Sequence, residues 1–199
     1  AFYSGSLAEK IAAFAREHDA VLSVDDLARH KNDWCGTISQ TFGDTSLHEI
    51  PPNGQGIAAL MALGILQGTE IADLDPDSSE AMHLQIEAMK LAFADIHAYV
   101  ADQLHMTDVT ISHLLEPAYL AQRGQLIDRT KATNFPTGAP KDGGTVCLAT
   151  GDESGMMVSF IQSNYAGFGS GVVVPGTGIS LQNRGFGFST TDGHPNQVG

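Results

Sequence analysis

The hydrophobic pattern of this chain changes period once, and that change limits its fold more than any other feature of the sequence. Up to position 122 apolar residues recur every three or four places, whereas from 145 onward they fall in short β-type runs between glycine-rich turns. Residues 129–144, in between, collect Lys, Thr, Asn, Pro and Gly with no period, as a loop or linker does. The expected organisation is α+β: a mainly helical part, 1–144, followed by a β-rich part of antiparallel strands, 145–199. With 42% apolar residues in 199, such a chain has the material for a buried core.

Local signals refine this. Ser6 with Glu9, and Ser23 with Asp26, are capping-box patterns that predict helix starts, the first ahead of an apolar face of Leu7, Ile11 and Phe14. Two short strands, 37–42 and 46–50, are expected around Gly43-Asp44. Ile57–Leu66 is almost wholly apolar, which predicts a helix buried on most sides. Asp77 and Glu80 are expected to cap a long helix whose stripe of Met82, Ile86, Met89, Phe93, Ile96 and Val100 should be core, and 112–122 should be helical as well. The last residues, 192–199, are polar and turn-like and leave the final element unfinished, so the chain reads as a piece of a longer one.

Charge and composition remove several function classes. A formal charge of -13, from 10 Lys+Arg against 23 Asp+Glu, repels nucleic acid and anionic membranes. Ile57–Leu66 falls far short of the roughly 20 apolar residues a membrane helix needs. Cys35 and Cys147 share no motif and read as free thiols. Among the eight histidines, His83 with Glu87 has helical spacing but no third ligand, and Asp73, Asp75 and Asp77 lack the glycine and final glutamate of a calcium loop. No metal site is predicted. Gly167-Phe168-Gly169-Ser170-Gly171 is phosphate-loop-like in composition, but valines follow it instead of a helix. Ala1 opens directly on Phe2-Tyr3-Ser4-Gly5 without the pattern of a leader, which a fragment would have lost, and the compartment, cytoplasmic or periplasmic and extracellular, stays open.

The step Gly143-Gly144-Thr145 carries more. Two glycines permit a strained backbone immediately before a hydroxyl residue that opens a strand, although an ordinary turn into a strand has the same appearance. If 145–150 and 156–163 pair around Gly151-Asp152-Glu153-Ser154-Gly155, Ser163 returns beside Thr145 and two hydroxyls share a site. A threonine hydroxyl needs a base, and cleavage of Gly144-Thr145 would supply one as the new α-amino group of Thr145. Such chemistry asks for no metal or organic cofactor.

At this point the residues resemble a known family. Asp142-Gly143-Gly144-Thr145-Val146, Val158-Ser159-Phe160-Ile161-Gln162-Ser163-Asn164-Tyr165, Phe168-Gly169-Ser170-Gly171 and Gln182-Asn183-Arg184-Gly185 are similar, in order and spacing, to γ-glutamyltransferases. So, upstream, are Phe2-Tyr3 with Gly5, Asp25-Asp26-Leu27, Pro51-Pro52-Asn53-Gly54-Gln55-Gly56, and Glu87-Ala88 with Lys90-Leu91-Ala92-Phe93-Ala94-Asp95. The resemblance implies an αββα N-terminal-nucleophile hydrolase made as one precursor and split before the threonine. Residues 1–144 would be the C-terminal portion of the large subunit and 145–199 the start of the small one. It places the cleavage site at Gly144 and Thr145, the nucleophile at Thr145, an orienting hydroxyl at Ser163, and substrate contacts at Tyr165, Asn183 and Arg184.

Departures from the family pattern fall on substrate recognition. Many transpeptidases have a second threonine where Val146 stands, an asparagine at Tyr165 and an acidic residue near Gly187. Phe160-Ile161-Gln162-Ser163 and Gln182-Asn183-Arg184-Gly185 are closer to the branch with cephalosporin and glutaryl acylases, where Arg184 would serve an acidic acyl group. The expected substrate is a γ-glutamyl or related acyl amide such as glutathione, the expected partner is the remainder of the precursor, and the piece alone is expected to be inactive. A transpeptidase of glutathione metabolism, and a non-catalytic binding or scaffold protein on the same fold, are the alternatives.

Overall fold

Six α-helices and six strands follow one another in the computed structural model, which describes residues 1–135 and 145–198. In chain order they are α1 (Ser6–Glu17), α2 (Val24–Arg29), β1 (Ile38–Phe42), β2 (Thr45–Glu49), α3 (Ile57–Leu66), α4 (Ser79–Tyr99), α5 (Ile111–Leu114), α6 (Pro117–Gly124), β3 (Thr145–Gly151), β4 (Met157–Ser163), β5 (Val173–Val174) and β6 (Ile179–Ser180). Every described strand pair is antiparallel, so the architecture is α+β. The chain divides into two units, Ala1–Asp33 with Lys141–Gly187, and Trp34–Pro140 with Phe188–Gly199.

In the second unit α3 is the centre of the core: Ile57, Leu60, Met61 and Ile65 have no exposed surface. Burying side chains of this size contributes on the order of 1.5–3 kcal/mol each. Gly64 lets α6 come close, since a Cβ there would lie 2.4 Å from Leu120 Cδ1. The β1–β2 hairpin, closed by Gly43 at φ 57, packs its half-buried Ile38 and Phe42 against the same core.

The long helix differs from expectation toward its N-terminal end, whereas Met89 and Phe93 pack half-buried against the core and Ile96 and Val100 are buried in it, as expected. Met82 and Ile86 are 52% and 57% exposed, and the buried residues are Ala81, Leu84, Glu87, Ala88, Leu91, Ala92, Ala94, Asp95 and Ile96. Alanines occupy that face because a small side chain lets α4 approach α3, and the two carboxylates are tolerated because each is paired. Glu87, fully buried, takes Lys90 Nζ at 2.6 Å and the Thr133 N–H at 3.0 Å. Asp95 accepts from the Tyr119 hydroxyl at 2.9 Å and faces Arg123 at 2.9 Å.

Two helix starts are corrected too. Ser78, not Asp77 or Glu80, caps α4, its side chain accepting the Ala81 N–H at 3.1 Å, while the Asp77 N–H is already bound to Asp75. Ser6 is the first residue of α1 behind Gly5 at φ 100, and no side-chain cap forms there; the Glu9 N–H goes to the Gly5 carbonyl. The Ser23–Asp26 box forms in full. The helical stretch 112–122 is two helices, because Pro117 has no N–H to continue α5 and instead opens α6 behind the Glu116 cap. Residues 192–198 are mostly turn, and they are bonded to the end of α4: His194 Nε2 donates to the His97 carbonyl at 3.1 Å and Asn196 Nδ2 to that of Val100 at 2.7 Å.

The Tyr119 pair has a pH consequence. Burial, helped by the bond to Asp95, pushes the Tyr119 phenol from 10.0 up to about 12. A phenol that keeps its proton longer in the folded protein contributes stability in full below about pH 10, and that contribution is lost as pH rises from about 10 to about 12. Tyr119→Phe should therefore flatten the alkaline fall in denaturant midpoint across that window; an unchanged slope would show that the phenol titrates alike folded and unfolded.

Candidate active site

All the described site residues lie in the first unit, and a turn fixes how they are brought together. Asp152 Oδ1 accepts from the Ser154 N–H (2.9 Å), the Ser154 hydroxyl (2.6 Å) and the Met156 N–H (3.2 Å), with Gly155 at φ 84 closing the loop. The Ser154 hydroxyl and amide hold the Asp152 carboxyl below its ordinary value. So fixed, β3 and β4 pair with Gly151 opposite Met157 and, six rungs later, Thr145 opposite Ser163. This is the pairing expected from the spacing of the two runs. The backbone of Thr145 opens β3; Gly143 and Gly144 lie outside the described residues.

Beyond Ser163 the chain makes a tight, heavily bonded turn. The Tyr165 N–H donates to Ser163 Oγ at 2.9 Å, and Tyr165 itself takes φ 78, a left-handed conformation rare for any residue but glycine. Asn183 grips the next residue from across the loop: its Oδ1 accepts the Ala166 N–H at 3.0 Å, its Nδ2 donates to the Ala166 carbonyl at 3.5 Å, and its own N–H donates to the Asn164 carbonyl at 3.1 Å. Arg184 follows, its N–H donating to Gln182 Oε1 and its guanidinium set over the Tyr165 ring 5.7 Å from the centroid. Ser163, Tyr165, Asn183 and Arg184 thus form one cluster at the end of the hairpin where Thr145 begins.

Sequence pattern alone assigns no role to Asn164, Gly169 or Gln182, which build the support of this cluster. A Cβ on Gly169 would stand 2.5 Å from the Leu181 carbonyl and 2.9 Å from Asn164 Cβ, on a residue already at φ 71. Its signals in the sequence are its place in the run of alternating glycines and in the block Phe168-Gly169-Ser170-Gly171. That run is no phosphate cradle: the Gly169 and Ser170 N–H groups donate to the Ala166 and Leu181 carbonyls, and no helix follows.

The rest of the chemistry-bearing residues lie outside this cluster. His83 Nε2 bonds the Asp128 carbonyl at 2.8 Å, and Glu87 belongs to the core pairing described above. Among the described residues no group of three or more His, Cys, Asp or Glu stands where it could hold a metal, and no helix is long and apolar enough to cross a membrane. Cys35 and Cys147 are free and exposed.

The chain is similar to known proteins over its whole length. A profile of the family described as Gamma-glutamyltranspeptidase matches residues 1–199. The "Glutathione hydrolase-like YwrD proenzyme" of Bacillus subtilis (strain 168) is 34% identical over 100% of this chain and 37% of its own. The "Oxamate amidohydrolase proenzyme" of Klebsiella pneumoniae is 38% identical over 97% of this chain and 36% of its own. A crystal structure of cephalosporin acylase from Bacillus halodurans superposes with a TM-score of 0.84 at 46% identity, covering 100% of this chain and 35% of that one. The chain therefore spans little more than a third of the length of these relatives.

Proposed function

This chain belongs to the gamma-glutamyltranspeptidase family, and from that premise we propose that it is the nucleophile-bearing part of a self-processing amide hydrolase or acyltransferase of the αββα N-terminal-nucleophile fold. The observation that carries the proposal is the register that sets Ser163 opposite Thr145. Cross-strand partners of an antiparallel pair lie on one face about 5 Å apart. In the precursor the Thr145 hydroxyl adds to the Gly144 carbonyl, the amide nitrogen leaves as the new α-amine, and water hydrolyses the resulting ester. That amine then serves as the base for the same hydroxyl, which takes the acyl group of an amide substrate and passes it to water or to an amine. Residues 1–144 and 145–199 would then belong to the large and small subunits, and the remainder of the precursor would complete the site. The proenzyme names of the relatives support processing. The test is the intact mass of aged full-length protein under denaturing conditions: two fragments, one beginning at Thr145, are expected, and a single uncut chain from folded protein would favour a binding or scaffold role.

For the acyl group, the similarity to cephalosporin acylase and the place of Arg184 favour a donor with a terminal carboxylate over a neutral one. A guanidinium steadied on an aromatic ring is a fitting partner for a planar carboxylate. Losing a charged hydrogen bond costs about 1.5–3 kcal/mol. Arg184→Ala should accordingly lower kcat/KM for glutaryl-type donors roughly 10- to 150-fold relative to neutral acyl donors. Unchanged selectivity would rule this assignment out.

A further inference from the structure

The unusual feature of the cluster is a non-glycine residue at φ 78 whose amide is bonded to the hydroxyl of Ser163, the residue paired with Thr145. Two anchorages meet there. Ser163 is held in β4 by its pairing, and Ala166 is held by both side-chain atoms of Asn183. The positive φ at Tyr165 reconciles them, turning the chain back toward Asn183 while the Asn164–Tyr165 peptide faces Ser163 Oγ. A conformation this costly persists where its surroundings over-determine it, and such places cluster at functional sites. A hydroxyl oxygen that accepts from an amide has its own hydrogen directed away from that amide, so the bond restricts the rotor of Ser163.

We propose that Tyr165 is a positioning residue that acts through its backbone: its left-handed conformation holds its N–H on Ser163 Oγ and thereby sets the direction in which that hydroxyl serves the Thr145 step. The inference rests on the reading of Thr145 as nucleophile. It is separate from any contact of the Tyr165 ring with substrate.

The experiment compares Tyr165→Gly, Tyr165→Asn and Tyr165→Ala in the full-length protein. All three remove the ring, but glycine and asparagine accept positive φ readily and alanine does not. Cleavage at Gly144-Thr145, and kcat with a γ-glutamyl anilide, should be about five- to thirtyfold slower in the alanine variant than in the other two, with KM equal among the three. In a Ser163→Ala background the three should become equal. Thermal melts of the three variants, run in parallel, separate this from loss of folded protein. Equal rates in the three variants, or a difference that persists without the Ser163 hydroxyl, would overturn the proposal. A wild-type chain that never cuts would instead remove the Thr145 reading, and this one with it.

Discussion

Full-length protein carrying Thr145→Ala is expected to remain one uncut chain and to show no measurable acyl turnover. In the proposed mechanism alanine removes the hydroxyl that attacks Gly144, so the amine that would serve as base is never released, and both chemical roles vanish in one substitution. Residues that act as a unit are not additive, so adding Ser163→Ala to Thr145→Ala should change nothing further. Thr145→Ser keeps a hydroxyl at the same position and should still cut, more slowly. The intact mass of the three proteins, followed over days beside the wild type, reads all of this at once. Cutting in Thr145→Ala at the wild-type rate would assign the step to another nucleophile.

A second large effect is expected in the core of the second unit. Glu87→Ala should lower stability by about 3 kcal/mol, the lower end of the range for breaking a buried ion pair. The carboxylate has no exposed surface and holds both Lys90 and the Thr133 N–H, so alanine leaves a cation and an amide unpaired and opens a cavity. The lower end applies because the Lys90 side chain is 32% exposed and also lies 5.4 Å from the centre of the Phe135 ring. Water and the ring compensate in part. Glu87→Gln, which keeps an acceptor for Thr133, should lose less. A lowered urea midpoint at unchanged m checks this, and a shift below about 0.5 kcal/mol would mean that the pair is not worth its desolvation.

The elements read from sequence were those whose signals are local. Ile57–Leu66 could hardly be anything but a buried helix, and the Ser23–Asp26 box formed because both partners of the reciprocal bond were in place. The α4 stripe was right at Met89, Phe93, Ile96 and Val100 and wrong at Met82 and Ile86, because periodicity weighs large apolar residues and the buried face there carries alanines and a paired carboxylate. At the candidate site, loop length and the Asp152 turn were enough to set Thr145 opposite Ser163. The left-handed Tyr165, the grip of Asn183 on Ala166 and the Arg184–Tyr165 stack were not legible, since each depends on a contact across about 20 positions of chain that no local preference encodes.

The hairpin that sets this register also has a cost. Leu148, Met157, Val158, Phe160 and Ile161 are each more than half exposed, and among the described residues β3 and β4 pair only with each other. Among the described residues, then, no further strand pairs with either outer edge beside this apolar surface, and the six residues Met156-Met157-Val158-Ser159-Phe160-Ile161 contain no charge and no proline. The nearest gatekeeping charges, Asp152 and Glu153, are confined to the turn. Until another layer of protein covers it, the strand pair that aligns Ser163 with Thr145 is a template on which a second chain can add as a further strand, so folding, docking and aggregation compete for one surface.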